Sequence, residues 1–124
     1  MINNRIYQEI FDELGKYLPS RWEKLIVYLE FGNASYSFSF FVKTSGAYVK
    51  CFDIPGVDEK DLDASFKRIN EMVSKERAKE KGDIWSNMTM SVSATGDMHT
   101  DFDYTDLSGG TYQFKKDWKK KYLN

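Results

Sequence analysis

A chain of 124 residues, 41% hydrophobic and 16% aromatic, is long enough for one packed core and too apolar for a disordered segment. Its formal net charge of −1 excludes bulk electrostatic attraction to nucleic acid or to an anionic membrane. No apolar run approaches the roughly 20 residues of a spanning helix. The N-terminus, MINNRIYQEIFDELG, carries acids and no secretory h-region, and Cys51 has no second cysteine to pair with, so a cytoplasmic location is expected.

Along the chain, Ile6, Tyr7, Ile10, Phe11, Leu14, Tyr17 and Leu18 fall at helical spacing. They predict an amphipathic helix over 4–18, capped by Asn3 or Asn4, weakest at Gly15 and stopped by Pro19. Residues 22–31 turn to strand chemistry, and Gly32-Asn33 supplies a turn. Tyr36, Phe38, Phe40 and Val42 then alternate with Ser35, Ser37 and Ser39, the period of a half-buried strand. A turn at Ser45-Gly46 leads into a shorter third strand over 47–52, and Asp53-Ile54-Pro55-Gly56 breaks the sheet. A long helix is predicted from Asp58, its N-cap, to Lys81, with Gly82 at C′. Leu62, Phe66, Ile69 and Val73 form its core stripe, while the polar SKERAKEKG end is expected to project into solvent.

Residues 85–106 read as one β-hairpin around Gly96-Asp97. Met88, Met90 and Val92 alternate with Ser and Thr on the first arm; Met98, Phe102 and Tyr104 alternate with His99, Asp101 and Asp103 on the second. Ser108-Gly109-Gly110 is a flexible joint before a terminal helix over 111–124, whose interleaved Lys and aromatic residues suit docking better than nucleic-acid binding. The sum is one domain, 1–124, of the α+β class. It is ordered α-β-β-β-α-β-β-α, an antiparallel sheet of about five strands with helices against its apolar face.

Chemistry-bearing residues are few. A nucleophilic pair would need Cys51 beside His99, which the spacing does not require, and no phosphate-cradling loop, zinc spacing or nucleophile elbow is present. His99, Asp101 and Asp103 share one strand face, with Asp97 in the turn and Asp106 beyond. Three readings stay open: a solvated outer face, a metal or ligand site, or a protein-contact surface. Same-face neighbours lie about 6–7 Å apart, which suits one small ion poorly. Aligned carboxylates on a rigid strand also imitate a line of phosphates and fit a basic cleft. A third surface, the polar end of the long helix around Lys75 to Lys81, would suit a general interaction adaptor.

The chain resembles the YezG-type antitoxin or immunity family of Gram-positive bacteria. The likeness rests on Leu18-Pro19-Ser20-x-Trp22-Glu23-Lys24, Asp53-Ile54-Pro55, Trp85-Ser86-Asn87-Met88-Thr89-Met90, the Gly96 turn, Asp101-Phe102-Asp103-Tyr104, and Trp118 followed by Lys121-Tyr122-Leu123. These landmarks run in order over nearly the whole chain; the stretch between Asp106 and Trp118 is shorter than the family pattern. The resemblance implies a non-enzymatic inhibitor without cofactor or metal. It also implies a cytoplasmic partner of a polymorphic toxin of the LXG or a related type, exported by type VII secretion and often a nuclease. Such a protein touches neither nucleic acid nor membrane directly, and the expected contact residues are Asp97, His99, Asp101, Asp103 and Asp106.

Overall fold

The first helix, α1 (Asn4–Leu14), tightens at Gly15 into a 3-10 turn, Gly15–Tyr17. The predicted weak point is therefore where helical geometry changes. This computed structural model describes residues 4–32, 35–80, 84–107 and 109–123. The expected cap Asn3, the Asn33 turn residue, the Lys81-Gly82 helix end and Ser108 of the joint lie outside the described residues.

Five strands follow the predicted order: β1 (Trp22–Gly32), β2 (Ser35–Thr44), β3 (Ala47–Lys50), β4 (Asn87–Ser93) and β5 (Met98–Asp103). They form one antiparallel sheet in the order β3-β2-β1-β4-β5, with α2 (Glu59–Arg77) inserted between β3 and β4. β3 stops two residues short of expectation, because Cys51–Asp53 closes as a 3-10 turn with Cys51 tucked into the core. Ser45 (φ 51) and Gly46 (φ 79) supply the left-handed residues of the β2–β3 hairpin. A register shift between Trp22 and Lys24 leaves Glu23 as a bulge, and its carboxylate accepts the Gly46 amide at 2.9 Å.

The main core lies between the sheet and α1/α2. Leu25, Val27, Leu29, Phe38, Phe40, Val42, Met88, Met90 and Val92 meet Ile10, Leu14, Leu62, Phe66, Ile69 and Val73 there. The Phe38 and Phe66 rings are 4.2 Å apart between centroids. Asp58 caps α2 as predicted, its carboxylate accepting the Lys60 amide at 3.0 Å. Within the polar end of α2, Lys75, Ala78 and Lys79 are exposed as expected, but Arg77 is not. The helix stops at Arg77, whose guanidinium lies over Phe31 and Trp85 and donates to the Trp85 carbonyl at 2.8 Å. A cation stacked on two rings and holding a backbone acceptor keeps that turn on the domain.

The larger departure concerns the other face of the sheet. The terminal helix, α3 (Tyr112–Tyr122), does not join α1 and α2 but covers the opposite side, making three layers. Trp118 packs there on Ile26, Tyr28 and Phe41, with Phe114, Tyr122 and Leu123 around it. β1 is thus covered on both faces, which is why Leu25 to Leu29 are five buried residues in succession.

A candidate protein-contact site at the β5 edge and the α3 groove

β5 is an outer strand, and every residue of it is paired in register with β4. The pairs Asn87–Asp103, Thr89–Asp101 and Ser91–His99 place the acid row directly across from the polar residues of β4. Those polar residues were expected to face water, yet Asn87 and Thr89 are 2% and 3% exposed. The reason is α3: the Trp118 indole Nε1 donates to Thr89 Oγ1 at 2.9 Å, so the helix rests on the polar side of β4. Burial with a satisfied hydroxyl carries little penalty.

Of the five residues singled out from the sequence, the structure joins two in one depression. Asp101 and Asp103 line a groove of about 590 Å³ between β5 and α3, whose other side is formed by Phe114, Asp117, Trp118, Lys121 and Tyr122. Asp101 is tied on both oxygens, accepting the Tyr122 hydroxyl at 2.7 Å and bonding His99 Nε2 at 2.8 Å. Asp103 accepts the Thr105 amide and hydroxyl, at 2.7 and 2.6 Å, on its Oδ1. His99 stands at the margin, well exposed. Asp97 lies in the exposed hairpin turn, where Thr95 donates to it at 3.3 Å. Asp106 falls past the strand into a neighbouring depression with Glu30, Tyr36, Arg77 and Ile84.

These contacts shift two ionisable groups in opposite directions. The Tyr122 hydrogen bond, aided by His99, holds the Asp101 carboxyl below the ordinary carboxylate range despite some desolvation. Burial, followed by the bond to Asp101, pushes the Tyr122 phenol up to about 12. Asp101 is thus a carboxylate and Tyr122 a neutral donor across the neutral range.

The aromatic residues of α3, expected from the sequence to dock the helix, also line the groove beside the acid row. Their trace in the sequence is Phe114, Trp118 and Tyr122 at i, i+4 and i+8, one aromatic stripe on a basic helix. Asn87 and Thr89 left no comparable trace, since Asn and Thr in a strand read as solvent-facing.

The catalytic pairing weighed above is excluded by topology. Cys51 follows β3 at one edge of the sheet and His99 sits on β5 at the other, about 19 Å away at the ~4.8 Å spacing of paired strands. Cys51 is also fully buried, which pushes its thiol pKa up. Among the described residues, no three His, Cys, Asp or Glu side chains are placed to hold a metal ion, and no helix is long and apolar enough to cross a membrane.

The structure is an α+β domain with a charged edge strand beside an aromatic-lined groove. A sequence profile described as immunity protein YezG-like matches residues 3–124. The chain therefore belongs to the YezG-like immunity protein family. It is similar to two Bacillus proteins, each named immunity protein YezG. The one from Bacillus spizizenii W23 is 26% identical over 114 residues, covering 82% of this chain and 68% of that protein. The one from Bacillus subtilis 168 is 24% identical over 110 residues, covering 82% of this chain and 73% of that protein.

Proposed function

We propose that this protein is an immunity protein that binds and neutralises a cognate secreted toxin by occluding it, acting in the cytoplasm of the producing cell. The relatives named immunity protein YezG support the class of activity. In this reading the toxin is of the polymorphic type exported by type VII secretion, and its active domain is a nuclease. Such a domain must expose a basic cleft for its phosphate-bearing substrate.

One observation carries the choice of surface. Asp101 and Asp103 stand on a hydrogen-bonded edge strand with their oxygens positioned by Tyr122 and Thr105, so a rigid carboxylate row is presented at low ordering cost. Asp97, His99 and Asp106 extend it. Carboxylates 6–7 Å apart meet the lysines and arginines that otherwise hold phosphates, and the long-range field speeds encounter in a salt-dependent way.

The test is to exchange Asp101, Asp103 and Asp106 together for Asn and to measure affinity for the cognate toxic domain. A hot spot of this kind is worth ~2 kcal/mol or more, so a loss of about 30-fold or greater is expected. A loss below about 1 kcal/mol would remove these residues from the mechanism.

A further inference from the structure

We propose that the groove between β5 and α3 is a receptor for a single arginine side chain projecting from the partner protein. The partner's identity rests on the toxin-binding reading above; the guanidinium specificity rests on the groove itself.

Three features of the groove converge on that ligand. The first is its floor, which is made of acceptors. Asp101 and Asp103 contribute carboxylates. Asn87, 2% exposed, gives its amide nitrogen to Ser86 Oγ at 3.2 Å while its amide oxygen takes no hydrogen bond from the described residues. A donor-only group is the complement of such a floor, and guanidinium offers five donors in a planar fork. The second is the wall, which is aromatic: Phe114, Trp118 and Tyr122 line the α3 side of the groove. A delocalised cation between carboxylates and aromatic faces gains charge-assisted hydrogen bonds and cation–π attraction together. The third is that the chain already places a cation of its own here. Lys121 lines the groove with its ammonium 5.1 Å from the Tyr122 ring centroid. Lys121 is exposed and its charge acts on Asp101, so it marks the rim as cation-binding and competes there with an incoming guanidinium.

Arginine suits the site better than a divalent ion. Asp101 is hydrogen-bonded on both oxygens by Tyr122 and His99, and Asp103 carries two bonds on one oxygen. These arrangements leave lone pairs for further N–H donors but break up the oxygen cage that a metal requires.

The experiment uses the full chain, labelled with ¹⁵N, titrated with N-acetyl-arginine amide while the indole N–H signal of Trp118 is followed. That proton is bonded to Thr89 at the base of the groove, so it reports occupancy. The expected result is a saturable shift that is absent with N-acetyl-citrulline amide, which keeps the shape and loses the charge. Asp103→Asn should weaken binding at least threefold, and Lys121→Ala, which is remote from the core, should tighten it. An equal response to the citrulline compound, a shift that never saturates, or saturation with MgCl₂ but not with the arginine compound would overturn the proposal.

The two readings fail separately. Arginine-amide binding by the wild type together with unchanged toxin affinity in the triple Asn variant upholds the guanidinium specificity of the groove, sinks the occlusion surface and overturns the toxin as the source of the arginine. The reverse pattern upholds occlusion and sinks the groove.

Discussion

Replacing Trp118 by Ala should release α3 from the sheet. Trp118 is 7% exposed, stands 5.0 Å from Tyr28, 5.6 Å from Phe41 and 5.4 Å from Tyr122 between ring centroids, and bonds Thr89 through its indole. Truncating a buried tryptophan costs roughly 3–5 kcal/mol, a large part of the ~5–15 kcal/mol that holds a domain of this size. α3 has 11 residues, below the ~12–15 at which an isolated helix persists in water. Without its anchor it should therefore melt rather than re-seat. Hydrogen exchange should show loss of amide protection over 112–123 while the Leu25–Leu29 strand centre stays protected through α1 and α2. The urea midpoint should fall and dye binding should rise, as Ile26, Tyr28 and Phe41 meet water. Trp118→Phe separates the two contributions: the ring packing survives, the Thr89 bond goes, and the loss should be about 1 kcal/mol with α3 still docked. If Trp118→Ala kept wild-type protection across α3 and lost less than ~1 kcal/mol, the idea of a helix pinned by one side chain would be wrong.

On the opposite face, Tyr17 and the fully buried Ser65 share a 2.6 Å hydrogen bond, so Tyr17→Phe should cost about 1–2 kcal/mol in urea denaturation without altering α3 protection. Tyr122 provides a pH signature. Its folded pKa lies above its unfolded value, so the stability it contributes is complete below pH 10 and is lost as pH rises toward about 12, which alkaline denaturation curves of the wild type and Tyr122→Phe should resolve. Asp101 has the opposite sign: its carboxyl is held low, so its contribution is present above the ordinary carboxylate range and fades as acid protonates it, with Asp101→Asn flattening that limb. Leu123 packs in the α3 cluster, so Leu123→Ala should weaken α3 protection and arginine-amide binding together, whereas Tyr17→Phe should leave the latter unchanged.

What could be read in advance follows from where periodicity carries information. The Phe38, Phe40, Val42 alternation and the Leu62, Phe66, Ile69, Val73 stripe are one-sided patterns, and one-sided patterns specify which face meets the core. The run Leu25-Ile26-Val27-Tyr28-Leu29 also carried a message, that of a strand covered on both sides, and Phe41 broke the serine alternation of β2 for the same reason. Those two breaks announce a helix on the second face, but not which one. That choice is fixed by a contact of sequence separation 29, Trp118 to Thr89, which no local window holds. The acid row was legible as a row because strand period two is strict. That Asp101 is tied to Tyr122, and that Arg77 folds back onto Trp85, depend on chain reversals whose geometry lies in the connecting loops.

The division of the sheet into two unequal faces also links stability to binding. The α1/α2 face buries an extended cluster that spans all five strands or their ends, while the α3 face rests on four buried side chains, Ile26, Tyr28, Phe41 and Trp118. A domain whose core is complete without the last helix can use that helix for something other than holding itself together. Here the residues that dock α3 are also the wall of the groove, and the bond from Tyr122 to Asp101 joins helix to acid row. A cation held between them contacts both elements and none of the main core. Binding should therefore raise the stability of α3 by mass action and leave the α1/α2 face as it was.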